Sequence, residues 1–415
     1  MSSWFRNCRA TTLAGLEIRT LGVLIALAVS GVPAVADEYY MQPRADVGVD
    51  VDTNRSLVTS GPKPTSVGYD GEVGATVGIA TPVSDTTLRP QISYYDYPSL
   101  SQSDLEERLD FASAYNSQRA HLGIYGEFDH RDLYGSELAS AAFNPLNPNL
   151  PTTPETGRIS DNGTRTLLTV VPHYEYNLTQ RLAFEVSGVY QYIGYAGDDS
   201  SDYISYGYYD ALARIDWSLT PRSDVSLGVD ESRESAKNVY SVTDGRGVDL
   251  AYNYQWSKVF SGSLALVVDQ FDIYGAPPSP SKVTSSGVGA TYTTTWKGQI
   301  SQLQLTLGRT FTPSGSGGSY TSDQLQIEYK RQFSARVSFD TAGLYIRNVA
   351  LSSQYESGYY DYLTLTADLR WMLAPTWYLA GGLEYLEDRS PVAGTSASNA
   401  MAHVAFGYEG LGRQY

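Results

Sequence analysis

The stretch Leu363-Thr364-Leu365-Thr366-Ala367-Asp368-Leu369-Arg370-Trp371 alternates apolar and polar side chains without a break. A β-strand turns successive side chains to opposite faces, so this segment has one apolar face and one wet face. Leu373-Ala374-Pro375-Thr376 follows, where proline pre-sets the φ angle that a tight turn needs. A second arm then sets Trp377, Leu379, Gly381, Leu383 and Tyr385 against Tyr378, Ala380, Gly382 and Glu384. Trp371 and Trp377 flank the turn as rings do at a membrane–water interface. The hairpin is therefore the expected unit of a transmembrane β-barrel.

The unit recurs. Aromatic markers Tyr176, Trp217, Trp256 and Trp296 are spaced at about forty residues, with Phe333 and then Trp371 beyond them. Each precedes a short turn, and longer polar loops alternate with the turns. The longest irregular stretch, 131–163, is expected outside the cell, folded toward the pore. A propeller also repeats at this period, but with four short strands per blade, where each repeat here holds two longer ones. Val47, Val49 and Val51 mark the first strand; Val404, Phe406 and Tyr408 mark the last, with aromatics of the kind read by barrel-assembly machinery. The expected fold is all-β, a single antiparallel up-and-down barrel of about 18 strands (16–18). Pro90 cannot donate to a ladder and predicts a bulge or an irregular edge in its strand.

Residues 1–36 read differently. Arg6, Arg9 and Arg19 precede an apolar run over 21–32, and Ala34-Val35-Ala36 supplies a small-residue cleavage site. A secretory signal cut between Ala36 and Asp37 is expected, leaving 37–415 as the barrel. Cys8, the single cysteine, falls within that signal, so no disulfide or thiolate site is expected in the remainder.

The formal charge is −16 at pH 7, which argues against a nucleic-acid partner. Sorted by alternation, the wet faces are rich in acid. The expected pore lining includes Asp46, Asp50, Asp52, Asp70, Glu72, Glu127, Asp129, Glu175, Glu185, Asp210, Asp216, Asp230, Asp249, Asp340, Asp368 and Glu384. The expected inward bases are Arg165, Arg214, Lys330, Arg336 and Arg370. Asp46, Asp50 and Asp52 show few bases nearby in sequence and are expected to face water. Acid rings in a water-filled pore favour cations; the alternative is that these carboxylates only solvate the lumen and pair with arginines. The histidines His121, His130, His173 and His403 form no nucleophile–base motif, so no catalytic residue, metal site or cofactor is expected. Residues 197–202 offer oxygen ligands without the spacing of a calcium loop.

Tyr94-Tyr95-Asp96-Tyr97, Arg131-Asp132-Leu133-Tyr134-Gly135-Ser136-Glu137-Leu138 and the opening Val49-Asp50-Val51-Asp52-Thr53-Asn54 resemble an outer-membrane β-barrel porin family of Gram-negative bacteria. Some members are associated with exopolysaccharide production. The resemblance implies an outer-membrane location, outer-membrane lipid and lipopolysaccharide as surroundings, and a passive pore for small solutes or secreted polysaccharide. The rival expectation is a non-conducting structural or surface-binding barrel plugged by the 131–163 loop.

Overall fold

A computed structural model of the chain describes residues 38–133, 163–197, 203–236, 242–274, 282–313, 319–350, 359–390 and 394–411. The chain divides into two compact units, Met1–Glu38 and Tyr39–Tyr415, the second being the barrel. The signal with its Ala36–Asp37 junction, residues 134–162 of the long loop and residues 198–202 lie outside the described residues.

Eighteen strands run in chain order. They are β1 (Glu38–Asp52), β2 (Ser66–Ala80), β3 (Ser84–Tyr97), β4 (Gln102–Asn116), β5 (Ala120–Asp132) and β6 (Thr164–Asn177). Then come β7 (Leu182–Ala196), β8 (Tyr206–Thr220), β9 (Ser223–Ala236), β10 (Val242–Gln255), β11 (Phe260–Tyr274) and β12 (Lys282–Lys297). The last are β13 (Ser301–Pro313), β14 (Ser319–Gln332), β15 (Val337–Ala350), β16 (Tyr359–Met372), β17 (Trp377–Ser390) and β18 (Thr395–Glu409). Each pairs antiparallel with its sequence neighbours, and β1 pairs with both β2 and β18, so the sheet closes on itself. Closure leaves no unpaired sheet edge, which is what a membrane interior demands of strands.

Alternation sets what each face carries. Outward positions such as Val49, Leu227, Val268, Leu365, Leu383 and Val404 are exposed on the barrel surface. In water so continuous an apolar surface would be a liability; facing lipid it is the expected band. Trp217, Trp256, Trp296, Trp371 and Trp377 are likewise exposed, all at the end carrying the short turns. The chain is thus an outer-membrane-type transmembrane barrel, with its short turns on the periplasmic side.

Two prolines interrupt this pattern without shifting it. The β2–β3 ladder lapses between Gly74↔Gln91 and Val77↔Leu88, beside Pro90, and resumes in the same register. The β6–β7 ladder lapses beside Pro172 between Val170↔Tyr190 and His173↔Ser187, again unshifted. A missing N–H removes a bond but adds no residue, so the irregularity expected at Pro90 takes the form of a lapse in the ladder and not of a bulge. The register shift recorded in the β8–β9 hairpin falls instead at Ser218 and Thr220.

β1 also reaches further than its alternation shows. It starts at Glu38 and runs through Pro43, whose carbonyl accepts from the Gly410 backbone N–H at 2.7 Å. Arg44 consequently faces Glu409 across the closing seam.

Candidate functional site: the barrel lumen

The strand phase sends the expected lining carboxylates inward, but their surroundings differ sharply around the wall. On β1, Asp50 and Asp52 are buried, not washed by water. Tyr97 Oη donates to Asp50 Oδ2 at 2.5 Å, and Arg55 Nη1 donates to Tyr97 Oη at 2.7 Å. The Arg55 guanidinium also lies over that ring, 3.7 Å from its centroid. Gly68 makes room for this stack: a Cβ there would meet the Tyr97 ring at 2.3 Å and Asp50 Oδ2 at 2.6 Å. Asp52 accepts from Asn399 Nδ2 at 2.5 Å. Asp46 accepts from Tyr378 Oη at 3.3 Å. The expectation that these carboxylates face water with few bases near them is overturned for Asp50 and Asp52, because the 53–65 loop folds back and carries Arg55 inward, while Asp46 remains half-buried.

That loop is held by a relay of amide groups. Asn399 Oδ1 accepts from the backbone N–H groups of Thr53 (3.1 Å) and Asn54 (2.9 Å). Asn54 in turn donates to the Ser398 carbonyl at 3.0 Å and accepts from Val58 N–H at 3.1 Å. The relay places Leu57 against Leu344, Ile346, Tyr362, Leu386 and Ala397, an apolar cluster on the inner faces of β15–β18. Leu57 pays for this with a left-handed φ of 46°. Across the lumen, Ile193, Tyr206 and Ala236 form a second inward apolar cluster, flanked by Leu167, Tyr195, Ile204 and Tyr208. Tyr203 stacks on Tyr195 at 5.0 Å. The four tyrosines at 203–209 thus split, with Tyr206 and Tyr208 inward and Tyr209 exposed outward.

The β1–β6 wall is a lattice of paired charges. Arg44 meets Glu72 at 3.0 Å, and Gln91 Nε2 donates to the same carboxylate at 2.7 Å. Arg108 joins Asp110 (3.3 Å) to Glu127 (3.2 Å), while Tyr125 Oη donates to Glu127 at 3.1 Å. Asp129 accepts from Arg131 Nε at 2.6 Å and lies 3.9 Å from Arg165. Arg44, Arg55, Arg108 and Arg131 were not among the expected bases, nor were Glu106 and Asp110 among the expected acids. For Glu106, Arg108 and Asp110 a signal existed: they alternate with Leu105, Leu109 and Phe111 along β4.

The β7–β11 wall differs. Glu185, Asp210, Asp216, Asp224, Asp230, Glu234, Asp249 and Asp269 point inward, Glu234, Asp249 and Asp269 of them buried. Among the described residues Arg214 is the base on these strands, 3.1 Å from Asp249 and 3.7 Å from Glu185. The backbone between these strands is bare where the acids crowd. A Cβ at Gly247 would lie 2.0 Å from Asp269 Oδ1 and 2.3 Å from Asp230 Oδ1. Both carboxylates therefore rest over one glycine with nothing between them. Toward the periplasmic turns the lumen opens into a cavity of about 910 Å³ lined by His173, Glu175, Glu185, Arg214, Asp216 and Asp224 among others.

On the remaining wall, Lys330 bonds Glu328 (2.8 Å) and approaches Asp340 (3.7 Å). Arg370 pairs with Glu409, and its guanidinium stacks 3.7 Å from the Tyr378 ring. Asp368 lies 3.5 Å from His403. Asp70, Glu384, Arg131, Tyr95 and His403 share a cavity of about 300 Å³. Arg336 does not line the lumen: it sits exposed in the turn between β14 and β15.

No protein-family model matches the sequence, and no curated protein matches it significantly. Among solved structures, it is similar to three from Pseudomonas aeruginosa. OccK11 (OpdR) shares 13% identity over 90% of this chain and 96% of that one, with a TM-score of 0.41. OccK2 (OpdF) in complex with glucuronate shares 12% over 90% and 99%, with a TM-score of 0.43. OpdK with vanillate shares 10% over 89% and 98%, with a TM-score of 0.44. Likeness at this distance carries no cargo across to this chain.

Proposed function

We propose that the barrel is a passive outer-membrane pore for small polar solutes, with a lumen that favours cations. The observation that carries this reading is the asymmetry of the wall. Around β1–β6 arginines pair with Glu72, Asp110, Glu127 and Asp129, and Asp46, Asp50 and Asp52 accept from Tyr378, Tyr97 and Asn399. Around β7–β11 eight carboxylates face the lumen, with Arg214 as the base among them in the described residues, and the large cavity toward the periplasmic turns borders that wall. Field lines from an excess of carboxylates over bases in an aqueous lumen raise the local cation concentration without binding any ion tightly.

Small solutes suit the lumen better than an extended polysaccharide. The Leu57 and Tyr206 clusters line inner faces of β15–β18 and β7–β9 toward the loop end with apolar surface, which offers an extended sugar chain few polar partners there. The rival reading, a barrel closed by the 131–163 loop, concerns residues of which 134–162 lie outside the described set. Recording the purified full chain in a planar bilayer tests the proposal. Discrete conductance steps are expected; a protein that inserts and folds yet passes no current would overturn it.

A further inference from the structure

On the outward face near the loop end, the strand registers bring charges into line. Arg309 is paired with Asp323, Asp323 with Arg347, Arg347 with Asp361, and Asp361 with Arg389, across β13 to β17. Five adjacent strands thus carry alternating charge at one level. The contacts are close: Arg309 Nε and Nη2 donate to Asp323 at 2.5 and 2.7 Å, and Arg347 Nε and Nη2 to Asp361 at 2.7 and 3.0 Å. Arg389 Nε donates to Glu387 at 2.6 Å.

Charges on the lipid face are costly at mid-membrane and cheap near its borders. Trp371, at the turn end of β16, lies ten residues from Asp361. Strand rise of about 3.3 Å per residue at a tilt of about 40° makes that separation about 25 Å, the height of the apolar band of such barrels. The charged row therefore sits where the opposite leaflet's headgroups begin.

In each of these pairs the cation is the outer partner. The Arg347 side chain is 46% exposed against 11% for Asp361, and Arg389 57% against 17% for Glu387; Arg309 is likewise more exposed than Asp323. The carboxylates lie underneath and fix the guanidinium planes, leaving arginine as the surface that lipid meets. Further round, Lys282 over Asp272 and Arg233 over Asp244 repeat the arrangement. Because each cation has its carboxylate, the row is close to neutral and attracts at contact, not at range.

We propose that this row binds the phosphate groups of anionic lipids in the outer leaflet, with Arg309, Arg347 and Arg389 as the contacting groups. Guanidinium forks match phosphate oxygens in geometry as well as charge. The neighbouring Asp323 and Asp361 act as positioning residues.

The test refolds the full chain into phosphatidylcholine vesicles with and without phosphatidylglycerol, and follows urea unfolding in each. The wild type is expected to unfold at higher urea when phosphatidylglycerol is present, with inorganic phosphate giving no such rise. The triple variant R309Q/R347Q/R389Q is expected to lose that difference. D323N/D361N, which breaks the Arg309 and Arg347 ion pairs but keeps the cations, is expected to retain it. If both variants lose stability equally in both vesicles, the row is only a set of cross-strand ion pairs and the proposal fails. A wild type indifferent to phosphatidylglycerol, or one answering to inorganic phosphate instead, would overturn it too.

Discussion

Asn399 on β18 donates its amide N–H to Asp52 on β1 at 2.5 Å while its carbonyl oxygen receives the backbone N–H groups of Thr53 and Asn54. One side chain thus ties the closing seam of the barrel to the loop that enters its lumen. Replacing Asn399 by Leu would strip a partner from a buried carboxylate and from the Asn54 backbone N–H, while the Thr53 N–H keeps the Ala400 carbonyl. Unmet buried groups of this kind cost about 1–3 kcal/mol each. Asn399→Leu is therefore expected to lower the urea midpoint clearly in vesicles, and an unchanged midpoint would contradict the seam's role.

Leu57 makes a separate prediction about current. Its side chain packs on β15–β18 although its backbone sits at φ 46°. Leu57→Gly removes the packing and also relieves the left-handed strain, so the loop is released at little backbone cost. Larger and noisier single-channel conductance is expected from this variant. Conductance identical to wild type would show that the 53–65 loop does not narrow the path.

The two faces of β16 can be compared directly. Leu365 is outward and exposed to lipid, and arginine there should cost about 2–4 kcal/mol if it lies near the bilayer midplane. Thr364 looks like the wet-face control in sequence, but it is only 2% exposed and pairs across the sheet with Leu344 and Leu386. Thr366, paired with Glu384 on β17, is the better control. Thr366→Arg should cost much less than Leu365→Arg in vesicle unfolding; equal losses would contradict the assigned faces.

That contrast shows what the sequence made legible. Alternation from Leu363 to Trp371 reveals which residues turn inward, because the period of two is a property of one strand. Whether the inward side is wet or dry at Thr364 depends on Leu344 and Leu386, and cross-strand register cannot be read from one strand. Arg55 was hidden for another reason. It sits in an irregular loop, and nothing periodic says that the loop re-enters the barrel. Arg44 and Arg131 lie outside the clear apolar alternation of β1 and β5, so in sequence the acid excess looks uniform around a wall where one part carries arginine partners. The eighteen-strand barrel itself was readable because hairpin repetition and aromatic borders recur along the chain.

The last strand carries an assembly prediction. Outward Phe406 stacks on Trp377 at 5.2 Å, beside the seam where β18 meets β1. Deleting 402–415 removes that aromatic end and the seam with it. The truncated chain is expected to remain in the periplasm instead of inserting through barrel-assembly machinery. Heat-modifiable barrel recovered from the outer membrane at normal levels would contradict this.

The most direct measurement of the central claim is the reversal potential across a KCl gradient, for the wild type and for the double variant Asp230→Asn, Asp269→Asn. Charges act over about 8 Å at physiological salt and about 3 Å at 1 M, so a lumen with an excess of carboxylates should give a modest cation preference that fades as salt rises. The wild type is expected to reverse on the cation side, and the variant to move toward zero with its conductance retained. A wild type that reverses on the anion side, or a variant indistinguishable from it, would contradict the account.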